Sequence, residues 1–188
     1  MPYLMELTDF RPDIEIQKAL ASAIAQAQRQ FNQPFEGPYP RQGIGFANLR
    51  ARDVAFSNQS SGLQGGVQGS HVWGVSAATA DTLKAWINLN IDDRLFVVWT
   101  GLFNRTGTPH ITHIKPTANG QELPLMSIEE IYTWERTLAY LTKPMIIIPK
   151  NQFRLDILTD ATISGAPAER IGALGYAVAS RSYLIRTS

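Results

Sequence analysis

Residues 143–158 constrain the fold of this chain more than any other stretch. Met145, Ile146, Ile147 and Ile148 form an apolar run flanked by Pro144 and Pro149, and a turn follows through Gln152. Beyond the turn, Phe153, Leu155 and Ile157 alternate with Arg154, Asp156 and Leu158. A side-chain period of two marks a strand with one buried face. A short apolar run bounded by prolines reads as a second, more deeply buried strand. Two such strands in succession commit the chain to building its core from sheets.

The same patterning recurs upstream. Leu83, Ala85, Ile87, Leu89 and Ile91 alternate with Lys84, Trp86, Asn88 and Asn90, which predicts a half-buried strand with Trp86 on its polar face. Leu95 to Phe103 is almost entirely apolar or aromatic, the pattern of a central strand covered on both sides. Asn119-Gly120 suits the two left-handed positions of a type I′ turn and pairs His110–Pro116 with Gln121–Leu125. Val54 to Phe56, Val72 to Ser76, Ile171 to Ala179 and Ser182 to Arg186 read as further strands. Ser127-Ile128-Glu129-Glu130 fits a capping box that opens a helix over 128–141. Tyr132, Trp134, Arg136, Leu138 and Tyr140 also alternate, so a strand stays open there. Residues 57–70 are rich in Gly, Gln and Ser and read as a mobile loop, and 159–169 as a second loop. About eight strands at hairpin and crossover spacing predict a mainly β protein, an antiparallel sandwich or barrel. Strand–helix–strand alternation is missing, which argues against a parallel doubly wound sheet.

The N-terminal part differs. Ile16, Leu20, Ile24, Ala27 and Phe31 recur every three or four residues and form one apolar stripe. Asp9 can cap this amphipathic helix, Pro12 suits its first turn, and Pro34 ends it near Asn32. Pro34, Gly37, Pro38, Pro40, Gly43 and Gly45 then read as an extended arm. The expected division is a helix and arm over 1–45 and a sheet domain over 46–188. The stripe has two readings: packing on the chain's own sheet, or packing on neighbouring subunits.

Charge narrows the partners. Charged residues make up 18% of the 188, below the usual quarter. That fits either a surface hidden against other subunits or a neutral domain coated in amides and hydroxyls. The net charge is +1 and no stretch concentrates Lys and Arg, so nucleic acid is not an expected partner. No apolar run reaches the length of a membrane helix. Met1 to Phe10 has no basic stretch ahead of an apolar core and does not read as a secretory signal. With no cysteine, disulfides and thiolate metal sites are excluded.

Catalytic signatures are sparse. His110 and His113 fall on opposite faces if their segment is a strand, and a metal needs a further ligand, for which His71 and Glu122 are the nearest candidates. The glycines of 62–69 lack the Lys-Ser/Thr and helix of a phosphate loop. Ser70-His71 has neither triad geometry nor a nucleophile elbow. Glu129 and Glu130 are accounted for as first-turn residues of a helix. The expectation is a protein that is not an enzyme and holds no cofactor or metal. Trp86 is the candidate for an exposed ring that stacks on a sugar.

The run Lys143-Pro-Met-Ile-Ile-Ile-Pro-Lys-Asn-Gln-Phe153-Arg-Leu-Asp-Ile157, with Ile171-Gly-Ala-Leu-Gly-Tyr176 after a loop, resembles the closing strands of small jelly-roll structural proteins of bacteriophage virions. In those proteins a Pro-flanked apolar strand, a turn and a Phe-led strand precede a last strand with a Leu-x-Gly step, here Leu174-Gly175-Tyr176. The resemblance is confined to the C-terminal third. It implies a jelly-roll sandwich, a cement, decoration or accessory coat role, and no catalytic residues. The expected partners are copies of the chain and a capsid or other virion protein, in a virion assembled in the host cytoplasm. Ile16, Leu20, Ile24, Ala27 and Phe31 are the expected partner-binding stripe. A carbohydrate-binding or receptor-binding sandwich module, with glycan on Trp86, is the alternative, and a metal enzyme on the same scaffold ranks third.

Overall fold

The computed structural model describes residues 4–5, 12–38, 40, 42–50, 53–54, 63–64, 73–104, 106, 108–129 and 138–186. Among them the chain runs through β1 (Leu4–Met5), α1 (Pro12–Phe31), β2 (Phe35–Pro38), β3 (Ile44–Asn48), β4 (Leu63–Gln64) and β5 (Trp73–Ala78). It continues through β6 (Lys84–Asn90), β7 (Leu95–Asn104), β8 (Ile111–Ala118), β9 (Gln121–Glu122) and β10 (Met126–Ser127). It ends with β11 (Leu138–Ile147), β12 (Gln152–Thr159), β13 (Ile163–Ser180) and the short helix α2 (Arg181–Arg186). The protein is mainly β, with two sheets and an N-terminal helix.

The larger sheet has eight strands, in the order β1-β11-β7-β13-β3-β2, with β5 and β4 attached to β13. The smaller has five, β10-β8-β12-β6, with β9 paired to β8. All pairings are antiparallel except β2 with β3. β13 is the spine of the larger sheet. Ile171 pairs with Asn104 on one edge and Trp73 on the other, so β5 and β3 follow one another along the same side of β13. One apolar cluster takes Ile87, Leu89, Phe153, Leu155, Ile157, Ile111 and Ile114 from the smaller sheet and Val97, Trp99, Leu102, Ile147, Ala173 and Ala177 from the larger. The two sheets therefore share one core. β7 is buried at every position because this core lies on one face and α1 on the other, which explains its missing alternation.

Several expectations change. The stretch read as an arm supplies β2 and the start of β3, and the Ile44 N–H donates to the Pro34 carbonyl at 2.9 Å. Its glycines serve close packing: a Cβ at Gly43 would run into the Pro34 carbonyl. Val54 lies in a bend, and Ala55 and Phe56, the rest of the strand expected there, lie outside the described residues. Most of the glycine-rich loop 57–70 also lies outside them, apart from β4, which pairs with β5. Of the helix expected over 128–141, Leu138 to Leu141 belong to strand β11, and residues 130–137 lie outside the described residues. The second expected loop is largely strand, since β13 starts at Ile163 and carries an irregularity between Ser164 and Glu169. The final segment expected as a strand is helical, with Leu184 buried in the core. Among the described residues there are thirteen strands, several of them short edge pairings that carry no periodic signal in the sequence.

Candidate interaction surface

α1 begins at Pro12, whose missing N–H costs nothing in a first turn, and ends where Asn32 takes a positive φ of 51°. It lies on the outer face of the larger sheet, over β11, β7, β13 and β3. Ala23 and Ala27 are fully buried and form the contact line with Ile44, Phe96, Val98 and Val178. Leu20, Ile24 and Phe31 pack on the same cluster but remain half-exposed, as does Ile16 at the start of the stripe. Ile16, Leu20, Ile24, Ala27 and Phe31 therefore lie along the side that meets the chain's own sheet. The outward residues of that sheet are apolar, and without the helix they would face water.

Beside the helix the apolar surface continues. Phe31 meets Phe96 edge-on at 5.8 Å. Phe35 stacks on Phe46 at 6.3 Å, and Phe46 meets Tyr176 edge-on at 5.8 Å. Phe35 stays 39% exposed on the edge strand β2. On the other flank Ile146 packs with the helix layer, and Ile148 is 36% exposed. The opposite outer face, on the smaller sheet, is polar and paired within itself. Arg154 Nε lies 2.7 Å from Asp156, and Lys115 Nζ 2.8 Å from Glu122. Hydrogen bonding to Lys115 holds the Glu122 carboxyl below its ordinary range. Gln152 donates to Asn88 at 3.0 Å, and Asn88 and Asn90 are exposed. The flanks of α1 thus carry aromatic and aliphatic side chains beside the helix's own Lys18–Glu15 pair, while the smaller sheet turns amides and ion pairs outward and leaves Leu83 and Leu125 exposed next to its edge strands β6 and β10.

Trp86 corrects an expectation. It is fully buried and belongs to the core between the sheets, so no ring face is open to a sugar. The cause is a β-bulge: Leu155 pairs with Ile87 and Asp156 with Ala85, which leaves Trp86 as an extra residue on β6. Two successive side chains then turn inward and the parity of the strand breaks.

His113 contacts Thr112 at 3.0 Å, and His110 pairs with Asp160 at 3.1 Å near the surface. Among the described residues no group of three or more His, Asp or Glu side chains is arranged to hold a metal. An open pocket of about 370 Å³ between the β5–β6 connection and the start of β13 is lined by Thr79, Thr82, Leu83, Lys84, Thr162 and Ile163, among others. It brings no acid and base together. No helix among the described residues is long and apolar enough to cross a membrane.

Two polar residues that sequence reasoning left aside join the sheets. Asn119, which the hairpin signal identified only as a turn residue, donates to the Ile146 carbonyl at 2.7 Å and accepts from the Ile148 N–H at 3.1 Å. Glu169 is fully buried and accepts from the Asn104 side chain at 3.2 Å and from the His110 N–H. Each sits at one end of β8. A lone acid in a Gly/Ala-rich stretch carries no signal of such a role. Phe35, Phe46 and Tyr176 were passed over because they fall in three separate segments. No family model, curated protein or solved structure matches the chain.

Proposed function

We propose that the chain is a non-enzymatic structural component of a bacteriophage virion, a cement, decoration or accessory coat protein that works through contacts with copies of itself and with other coat proteins. The observation that carries this reading is the apolar surface around α1. Phe35 and Ile148 are exposed there, and Phe31, Phe46, Ile146 and Tyr176 are half-covered. Single exposed apolar side chains are ordinary; aromatic and aliphatic side chains gathered along both flanks of one helix suit a protein interface. The connectivity supports a jelly-roll-like sandwich. From β5 onward the chain alternates between sheets at each connection except within β8, β9 and β10, a crossing pattern suited to double-sheet Greek-key folds. In this account Ala23 and Ala27 fasten the helix inside the subunit, and the half-exposed edges of Leu20, Ile24 and Phe31 join the patch that neighbours cover. Burial of Trp86 removes the feature on which the carbohydrate-binding alternative rested.

The test is Phe35→Ser combined with Ile148→Ser, followed by sedimentation across a range of concentrations. Weaker self-association with an unchanged circular-dichroism spectrum is the expected result. Association as strong as that of the unsubstituted chain would remove this patch from the account.

A further inference from the structure

We propose that the free edge of β6 is a self-association site, at which two copies of the chain join their β6 strands antiparallel about a two-fold axis near Asn88. This contact goes beyond the interface proposed around α1 and does not rest on it. Among the described residues β6 pairs only with β12, so it ends the smaller sheet. The Ile91 N–H donates to the Asn151 carbonyl at 3.0 Å, which turns that amide toward β12. Alternation along an antiparallel ladder then points the Leu89 and Ile87 amides the same way, and the Asn88 and Asn90 amides out past the edge. From Ile87 to Asn90 the register is unbroken, because the bulge at Trp86 lies nearer Lys84. Such an edge is a template for a further strand. The other edges are closed or short. Pro34 precedes β2 and Pro38 ends it, and prolines withhold the donors that strand addition needs. β1, β4, β9 and β10 have two residues each.

Charge selects a second copy as the occupant and fixes its direction. Lys84 opens β6. Past the far end of the strand, Asp92 and Asp93 share Arg94 at 3.0 and 3.5 Å, which leaves that turn one negative charge in excess, and the Asp93 side chain is 58% exposed. An antiparallel pair about a two-fold axis lays Lys84 of each copy against the acidic turn of the other, so one complementary contact is made twice. A parallel pair would set Lys84 beside Lys84. Lys84 and the bulge guard their half of the edge against indiscriminate strands, and the acidic turn is what answers the lysine. Asn88 is exposed, accepts from Gln152 at 3.0 Å, and meets its own equivalent at the axis, where side chains directly opposite interact. Leu83, 45% exposed just ahead of Lys84, comes under the same turn of the second copy.

Sedimentation of the chain carrying Phe35→Ser and Ile148→Ser isolates this contact, whether or not the flanks of α1 associate. A dimer is expected, and a monomer at every concentration would overturn the proposal. In the same background Lys84→Glu should weaken the dimer about tenfold, because two exposed ion pairs are lost at once. Adding Asp93→Lys should restore it, and a dimer left as weak would overturn the antiparallel contact. Residue-resolved hydrogen exchange on the unsubstituted chain locates the edge. The Asn88 and Asn90 amides should be protected in concentrated samples and lose protection on dilution, while Ile87 and Leu89 stay protected throughout. Free exchange of Asn88 and Asn90 at every concentration would overturn the proposal. So would protection that ignores concentration, since the chain itself would then cover the edge.

Discussion

Thr100 and Gly101 show how a single break in a strand decides where side chains point. Leu95, Val97 and Trp99 face the shared core and Phe96 and Val98 face α1, yet Leu102 also faces the core. The parity changes because Leu174 pairs with Gly101 and Gly175 with Trp99, leaving Thr100 extra. The buried Trp99 indole closes this bulge by donating to the Gly101 carbonyl at 2.6 Å. A Cβ at Gly101 would run into the Ala139 carbonyl oxygen on β11, whereas one at Gly120 meets open space and pays only for its positive φ of 76°. Gly101→Ala should therefore cost about 2 kcal/mol or more of unfolding free energy, and Gly120→Ala about 1 kcal/mol. Urea denaturation of the two variants gives the ranking, and equal losses would contradict this description of the bulge. At this scale the sequence is least legible. Period-two reading turned Trp86 outward because nothing in Ala85-Trp86-Ile87 announces an inserted residue.

Elements were legible where burial imposes a regular pattern. Phe153, Leu155 and Ile157 are all fully buried on β12, as their alternation requires. Asn119 and Gly120 both take positive φ, and Thr117 and Ala118 pair with Glu122 and Gln121 across a two-residue turn. β13 was hidden because Gly165, Ala166 and Pro167 mimic a loop inside an 18-residue strand. The Pro/Gly stretch before β3 was hidden because composition suited to a linker also suits close backbone packing. α2 was hidden because a six-residue segment shows too little periodicity to separate helix from strand. The stripe on α1 was plain in the sequence, but its partner was not, since a helix offers the same face to its own sheet or to a neighbour. The fully buried Ala27 settles what the centre of that stripe touches. Ala27→Glu should strip α1 from the sheet at a cost of about 3 kcal/mol or more, while Ala25→Glu on the exposed side should be tolerated. Limited proteolysis within 12–31 distinguishes them; equal resistance of both variants would contradict the packing.

The whole molecule is layered, with a helix, an eight-stranded sheet, a shared core and a five-stranded sheet whose outer face is polar. Its polar fasteners, Asn119 and Glu169, sit at opposite ends of β8 and join the same two sheets. The low charged fraction of 18% fits coverage of the apolar flanks of α1 by other subunits, with the Lys18–Glu15 pair and Arg29 among the charges the helix keeps on that side. That is the central claim, and light scattering on a size-exclusion column tests it directly. The expected mass is a multiple of 20.8 kDa that falls as the sample is diluted. A constant mass of 20.8 kDa at every concentration would contradict it.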